Sequence, residues 1–493
     1  MRFTAKEKGN YLKMRRAKIV ATFGPALYGI EKTKAVIEAG VDIARLNLSH
    51  GSHDVHEGVY NTIRQACAEV DKAVGILVDL QGPKIRLGKF KDDKIELVNG
   101  AIFTITTDDI LGDQDICSTT YKGLIGDVKV GDLLLIDDGR LTLKATKVEG
   151  TKVVTEVVIG GPCSNNKGIN LPGVAVNVPA LSEKDEDDLR WALKLGADMI
   201  ALSFVRNAKD VVRVHEIMAE EGRFIPVIAK VEKPQAVAAL EEIIDAFDGV
   251  MVARGDLGVE LPLEQVPIVQ KRAVELARRW AKPVIVATQM LESMITASRP
   301  TRAETSDVAN AVLDGADALM LSGETSVGEY PIETVQTMAK IIESTEENGL
   351  ERIPALGTKP HTHSGAVVRA AMEIAELLGS KYVCVFTESG DTLRRVSRLR
   401  SRVPVLAFTP NQEVRRKLAL VWGATTFLVD TVKHTDDMIK QVDEIVLASG
   451  KCRVGDEVVI VAGSPPGIPG STNSLRVHRV GDAVHMAAPG YAN

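Results

Sequence analysis

Eight short aliphatic runs recur between residues 18 and 324, and most are followed by a stretch with apolar residues at helical spacing. They are KIVATF (18–23), IARLNL (43–48), GILVDL (75–80), MIALSFV (199–205), PVIAKVE (226–232), GVMVARGD (249–256), PVIVATQM (283–290) and ALMLSGE (318–324). Runs that stay apolar on both faces suit strands buried on both sides, as in parallel sheets. The segments between them, such as 235–247 and 263–281, show the period of amphipathic helices. Strand–helix alternation implies parallel βα units, and eight of these close a (β/α)8 barrel. Without a long break after Gly82 they occupy about 240 residues, near the ~250 typical of that fold. An open doubly wound sheet would carry a glycine-rich first turn, and none follows the first run.

Composition agrees and excludes several classes. Aromatics are only 4% of the chain, so the core must be built from Val, Ile, Leu and Ala. With 493 residues, two to four domains are expected. The net charge of -6 comes without a basic face or tail, which argues against a nucleic-acid partner. No apolar run is long enough to span a bilayer. The basic N-terminus has no apolar core of a signal peptide. The five cysteines lie far apart with no C-x-x-C spacing, so neither zinc nor a disulfide framework is indicated. Reduced thiols and a cytoplasmic location follow.

The break after the third run, residues 84–178, reads as an inserted all-β domain. Its stretch 131–161 has the turns and alternation of an antiparallel meander. Rooted in the loop after a barrel strand, it can act as a lid. Residues 1–17 form an N-terminal segment, and 18–83 with 179–347 the barrel. Residues 348–365 are a linker, and 366–493 a second α/β domain, with strands expected at YVCVFT, VPVLAFT, TTFLVD and EVVIVAG.

Charged and polar residues gather at the C-terminal ends of the barrel runs, where this fold places its active site. They are Arg45, Asn47, Asp79, Ser203, Lys230, Glu232, Arg254, Asp256, Thr288, Gln289, Ser322 and Glu324. Helix capping accounts for Ser203 and Ser322, but not for Lys230 beside Glu232 in an apolar strand, because charges there are costly unless paired. Two residues apart on a strand, Lys230 and Glu232 point to the same face. Glu232 and Asp256 end neighbouring runs, and two carboxylates completed by water and substrate oxygens suit Mg²⁺. A cation and a divalent metal at one point suit a phosphoryl group or an enolate. Arg45 and Arg86 are candidates for a phosphate clamp, and Thr288 for a hydroxyl near the reacting carbon. A Mg²⁺-dependent C–C lyase would share the metal pair. An aldolase with Lys230 as Schiff-base nucleophile is opposed by the two carboxylates, which would keep its amine protonated.

The motifs RLNLSHGS, DLQGPKIR, NNKGINLPG, KVE, MVARGDLGVE, ATQMLESM, PTRAETSDVANAVLDGADALMLSGET and PGSTNSLRV occur in order over nearly the whole chain. With them the sequence resembles the pyruvate kinase family, in particular its bacterial potassium-independent type. The resemblance implies a homotetramer that transfers phosphate from phosphoenolpyruvate to ADP, giving pyruvate and ATP. It implies that Lys230 stabilises the phosphoryl group in transit and that Glu232 and Asp256 hold Mg²⁺, with a second Mg²⁺ arriving with the nucleotide. Gly255, Asp256 and Thr288 would hold the substrate carboxylate, and Arg45 its phosphate. Thr288 would also lie on the route that protonates the enolate. Arg86, Asn47, His50 and Lys167 would face the nucleotide.

The family's monovalent-cation site corresponds to Asn47, Ser49, Asp79 and the carbonyl of Leu80. Potassium-dependent members carry Glu where Lys84 stands, and Thr-Lys where Leu80-Gln81 stands. Lys84 is therefore expected to replace K⁺ as an internal cation. The resemblance also places a phosphorylated allosteric effector at Thr387, Ser389, Gly390 and Thr392, a loop that enters a helix N-terminus. Asp391 beside it would repel phosphate.

Overall fold

Eight strands close into a parallel barrel whose order around the ring is β1-β8-β7-β6-β5-β4-β3-β2. They are β1 Lys18–Thr22, β2 Ile43–Asn47, β3 Gly75–Asp79, β4 Met199–Leu202, β5 Val227–Val231, β6 Gly249–Ala253, β7 Val284–Ala287 and β8 Ala318–Leu321. The computed structural model describes residues 14–137, 139–174, 179–468 and 470–485. Most of the expected N-terminal segment (1–13), the end of the expected insert (175–178) and the tail 486–493 lie outside these residues. The lumen is filled by inward-facing side chains, among them Val20, Ile43, Leu77, Met199, Ile228, Met251, Ile285 and Met320. Aliphatic residues of this size fill a ring of eight strands.

Between β3 and β4 the chain leaves the barrel for a β-rich insert with its own core, built on Phe103, Leu134 and Val153. The stretch 131–161 contains the antiparallel strands Leu133–Ile136, Leu141–Glu149 and Lys152–Ile159. The exit is Gly82, whose φ of 74° favours glycine. A Cβ there would lie 2.6 Å from the Phe204 ring.

The C-terminal domain is a five-stranded sheet of order β11-β10-β9-β12-β13. The strands are β9 Tyr382–Phe386, β10 Val405–Thr409, β11 Ala424–Leu428, β12 Glu457–Gly463 and β13 Thr472–Arg479. β13 runs antiparallel to β12 and was not expected from its polar sequence. This domain closes the foot of the barrel. Ala419 and Leu420 join the lumen cluster, and Lys18 Nζ donates to the carbonyl of Ala424 at 2.8 Å.

Three sequence expectations need correction. The helix expected over 235–247 is two helices, Pro234–Ala238 and Leu240–Ala246, broken at Ala239. The run 249–256 is not one strand: β6 stops at Ala253 and a helix, Arg254–Glu260, begins at once. Asp256 thus lies in a first helical turn. Ser203 and Ser322 are not side-chain caps. Ser203 binds Lys230, and the Ser322 hydroxyl makes no capping bond, while the Glu324 carboxylate accepts from the Ser322 and Leu291 amides. Among the described residues, no helix is long and apolar enough to cross a membrane.

Candidate active site

The charged residues meet where the strands end. Lys230 Nζ lies 2.9 Å from Glu232 Oε1 and 3.4 Å from Asp79 Oδ1. It donates to Ser203 Oγ at 2.8 Å, and Ser203 Oγ donates to the carbonyl of Leu80 at 2.7 Å. Arg45 Nε donates to Asp79 Oδ2 at 2.7 Å, and Arg45 Nη1 to Thr22 Oγ1 at 2.9 Å. One network therefore runs from β1 to β5 across the strands between them. Ser203 is the functional residue that sequence reasoning missed as such.

Burial alone would depress the Lys230 ammonium, but Asp79 and Glu232 outweigh it and raise its pKa above the usual lysine range. An ammonium held so firmly is no Schiff-base nucleophile. Burial pushes the Asp79 carboxyl up, yet Lys230 and Arg45 hold it below its ordinary value. Glu232 is raised, by burial first, with the Asp256 carboxylate adding to the effect against Lys230.

That imbalance tests the fit of a metal. Glu232 is completely buried, and its Oε1 meets the Lys230 ammonium at 2.9 Å. Its Oε2 is satisfied by the amide of Phe204 at 2.7 Å. Two neighbouring carboxylates, Glu232 and the Asp256 that raises it, suit a divalent cation that takes its remaining ligands from water and substrate. Among the described residues no group of three or more His, Cys, Asp or Glu forms a closed cage. An open two-carboxylate site is the arrangement the residues fit.

Thr288 and Gln289 follow β7 with φ of 71° and 54°, a left-handed pair that non-glycine residues adopt only when held. The hold is visible. Arg254 Nη2 donates to the carbonyl of Thr288 at 2.7 Å, and Arg254 Nη1 binds Asp307 at 2.8 Å. Gly255 N donates to Thr288 Oγ1 at 2.7 Å, and that hydroxyl donates to the carbonyl of Ala287 at 2.6 Å. Thr288 is thereby tied to the first turn of the helix that carries Asp256.

The expected nucleotide residues make their bonds outside this network, although Asn47 ends β2 in register with Asp79. Arg86 Nη1 donates to the carbonyl of Asn166 at 3.0 Å, and Lys167 pairs with Asp137 at 2.8 Å, both within the insert. His50 is exposed and follows Asn47, whose Oδ1 accepts from the Ser49 amide at 3.2 Å. Of the expected monovalent-cation ligands, Asp79 is paired with Arg45 and Lys230, and the Leu80 carbonyl is taken by Ser203. Lys84 packs its stem against Gly168, where an added Cβ would lie 2.8 Å from Lys84 Cε.

The loop 387–392 borders an open cleft whose walls include Thr387, Ser389 and Thr392. Gly390, at φ 88°, makes the turn, and its amide donates to Thr387 Oγ1 at 2.9 Å. The Thr392 and Thr472 hydroxyls are 2.6 Å apart. Asp391 is bound by Arg395 at 2.6 Å, which offsets the charge expected to repel phosphate.

Residues 14–335 match the family described as pyruvate kinase, barrel domain, and residues 365–478 the one described as pyruvate kinase, alpha/beta domain. The pyruvate kinase of Corynebacterium glutamicum is 58% identical over 473 residues, covering 96% of this chain and 99% of that protein. That of Mycobacterium tuberculosis is 56% identical over 468 residues, covering 95% and 99%. A crystal structure of a pyruvate kinase from Cryptosporidium parvum matches with a TM-score of 0.90 at 34% identity, covering 97% of this chain and 98% of that one.

Proposed function

The chain belongs to the pyruvate kinase family and is a phosphotransferase; from that premise we propose how its own residues move phosphate from phosphoenolpyruvate to ADP. The observation that carries the reading is Lys230, kept protonated between Asp79 and Glu232 and steadied by Ser203. In the transfer, the bond from phosphorus to the enol oxygen breaks and one to a β-phosphate oxygen of ADP forms. The enolate left behind takes a proton on its methylene carbon. Lys230 presents fixed positive charge to the phosphoryl group in transit, which is where such reactions gain most of their rate.

Glu232 and Asp256 would hold Mg²⁺, which would supply positive charge to the developing oxyanions, and a second Mg²⁺ would come with the nucleotide. The backbone at Gly255 and Asp256, at a helix start, orients the substrate carboxylate. Thr288, fixed by Arg254 and Gly255, delivers the proton directly or through water. Arg45 faces the substrate phosphate. Asn47, His50, Arg86 and Lys167 face the nucleotide, and closure of the insert (84–178) over the barrel (18–83 and 179–347) brings the last two in.

The further readings are that the enzyme is a cytoplasmic homotetramer, that its domain 366–493 binds a phosphorylated activator at Thr387, Ser389, Gly390 and Thr392, and that it needs no K⁺. The last rests on Lys84, an ammonium where potassium-dependent members carry Glu. The family's monovalent-cation site (Asn47, Ser49, Asp79, Leu80) then has no need of a bound ion.

Initial rates of ATP formation in tetramethylammonium buffer, with and without K⁺ and with a panel of phosphorylated metabolites, test these readings together. Lys230→Met should abolish ATP formation. K⁺ should change the wild-type rate little, and one phosphorylated metabolite should lower the apparent KM for phosphoenolpyruvate. A large rise on adding K⁺ defeats the Lys84 reading, and no shift with any metabolite defeats the activator.

A further inference from the structure

One buried carboxylate outside the reacting network joins three parts of the molecule. Glu260 ends the helix Arg254–Glu260, and its side chain is buried. Its Oε1 accepts from Lys233 Nζ at 2.5 Å and from Asn170 Nδ2 at 3.0 Å. Asn170 belongs to the insert, where the short strand Ile169–Asn170 pairs with Leu133–Ile136. Lys233 directly follows Glu232 at the end of β5. Asp256 stands one turn before Glu260, on the same side of the helix and about 6 Å along it. Each of the two expected metal ligands is thus next to one member of a single ion pair, and the insert binds the same oxygen.

The surroundings tie these parts further. Lys233 Nζ lies 5.5 Å from the centre of the Phe204 ring. Phe204 has a φ of 55°, which a bulky residue adopts only when held. Its amide donates to Glu232 Oε2 at 2.7 Å, and its ring stands over Gly82, where the insert leaves the barrel. Gly139 of the insert approaches Val259 on the helix, with an added Cβ 3.9 Å from Val259 Cγ1.

A buried ion pair adds little stability over apolar residues of the same size; what it can fix is register. Partners behind a metal ligand orient it. We propose that Glu260 is a positioning residue: it sets the spacing of the Glu232 and Asp256 carboxylates and makes that spacing depend on where the insert sits. Lys233 pins the end of β5 and Glu260 the helix, so the two carboxylates do not move apart independently. Asn170 shares the oxygen that Lys233 binds, so displacing the insert removes one of the bonds that orient Glu260. The inference rests on the reading that Glu232 and Asp256 take the divalent cation.

The test is Mn²⁺ binding to the full chain without substrate, followed by loss of the free-ion paramagnetic resonance signal. Wild type should bind Mn²⁺, and Glu232→Gln should not. Glu260→Gln, which keeps the shape and an acceptor for Asn170, and Lys233→Met should each weaken binding about tenfold. The double variant should lose no more than the worse single, because both remove one interaction. Lys233→Arg keeps the pair and should stay near wild type. Asn170→Ala, in the insert, should weaken binding about fivefold. Thr155→Val removes a buried bond inside the insert, from Thr155 Oγ1 to the carbonyl of Phe103 at 2.6 Å, without touching Glu260; it should leave the affinity unchanged. Unchanged affinity in Glu260→Gln and Lys233→Met, losses that multiply in the double variant, or a loss in Thr155→Val as large as in Asn170→Ala would overturn the role of Glu260 and leave the metal pair standing. A wild type that binds no Mn²⁺, or full binding in Glu232→Gln, would overturn both.

Discussion

At the scale of the residue, one hydroxyl decides where the Lys230 ammonium stands. Ser203 Oγ accepts from Lys230 and donates to the Leu80 carbonyl, and its side chain is buried. Without it, Asp79 and Glu232 still attract the ammonium, but nothing fixes its direction. A hydrogen bond to a charged group is worth about 1.5–3 kcal/mol, so Ser203→Ala should lower kcat about ten- to a hundredfold. The KM for phosphoenolpyruvate should change much less. Steady-state kinetics separate the two, and an effect confined to KM would show that Ser203 only aids binding. Lys230 and Glu232 were legible in the sequence because a spacing of two at the end of an apolar strand puts both charges on one face. Ser203 was not, since a serine after a strand is equally a cap, and its partner comes from a strand 27 residues on.

At the scale of the element, the barrel's opposite rim is held by a buried charge cluster. Asp42, just before β2, accepts from Arg15 Nη2 at 2.6 Å and from the Ile19 amide at 2.9 Å. Burial pushes its carboxyl up, but Arg15, Lys18 and Lys72 overcome that and hold it below the usual value. A depressed pKa means that its contribution to stability is present above the unfolded pKa of about 4 and fades as pH falls through the folded value. Asp42→Asn should therefore cost about 3 kcal/mol near neutrality, and the deficit should shrink toward about pH 3. Urea unfolding at both pH values measures it; a deficit that stays constant would mean that packing, not charge, is lost. The strands this cluster braces were legible to within a few residues, because buried parallel strands are unbroken aliphatic runs. Where they stop was less so: β6 yields to a helix at Arg254, one residue before Gly255, the only breaker in MVARGD. The final strand, β13, carries little signal in the sequence because it is an edge with several exposed positions.

At the scale of the whole molecule, the barrel and the C-terminal domain are joined through a few buried charges. Arg400 reaches back from the C-terminal domain to Asp317, and donates through Nε and Nη2 to the carbonyl of Gly315 at 3.2 and 2.7 Å. Its guanidinium lies 4.8 Å over the Trp422 ring. Asp317 in turn accepts from the amide of Val284, at the start of β7, and from that of Trp422. Both charges are buried. Replacing Arg400 with Met leaves Asp317 unpaired, a loss of about 3–5 kcal/mol, and places that loss at the joint rather than in either core. A joint of this kind makes two domains unfold together. Scanning calorimetry of the wild type should accordingly show one transition, and Arg400→Met should split it, with the C-terminal domain melting first. A single peak shifted as a whole would assign the coupling to the apolar contact of Ala419 and Leu420 with the barrel lumen instead.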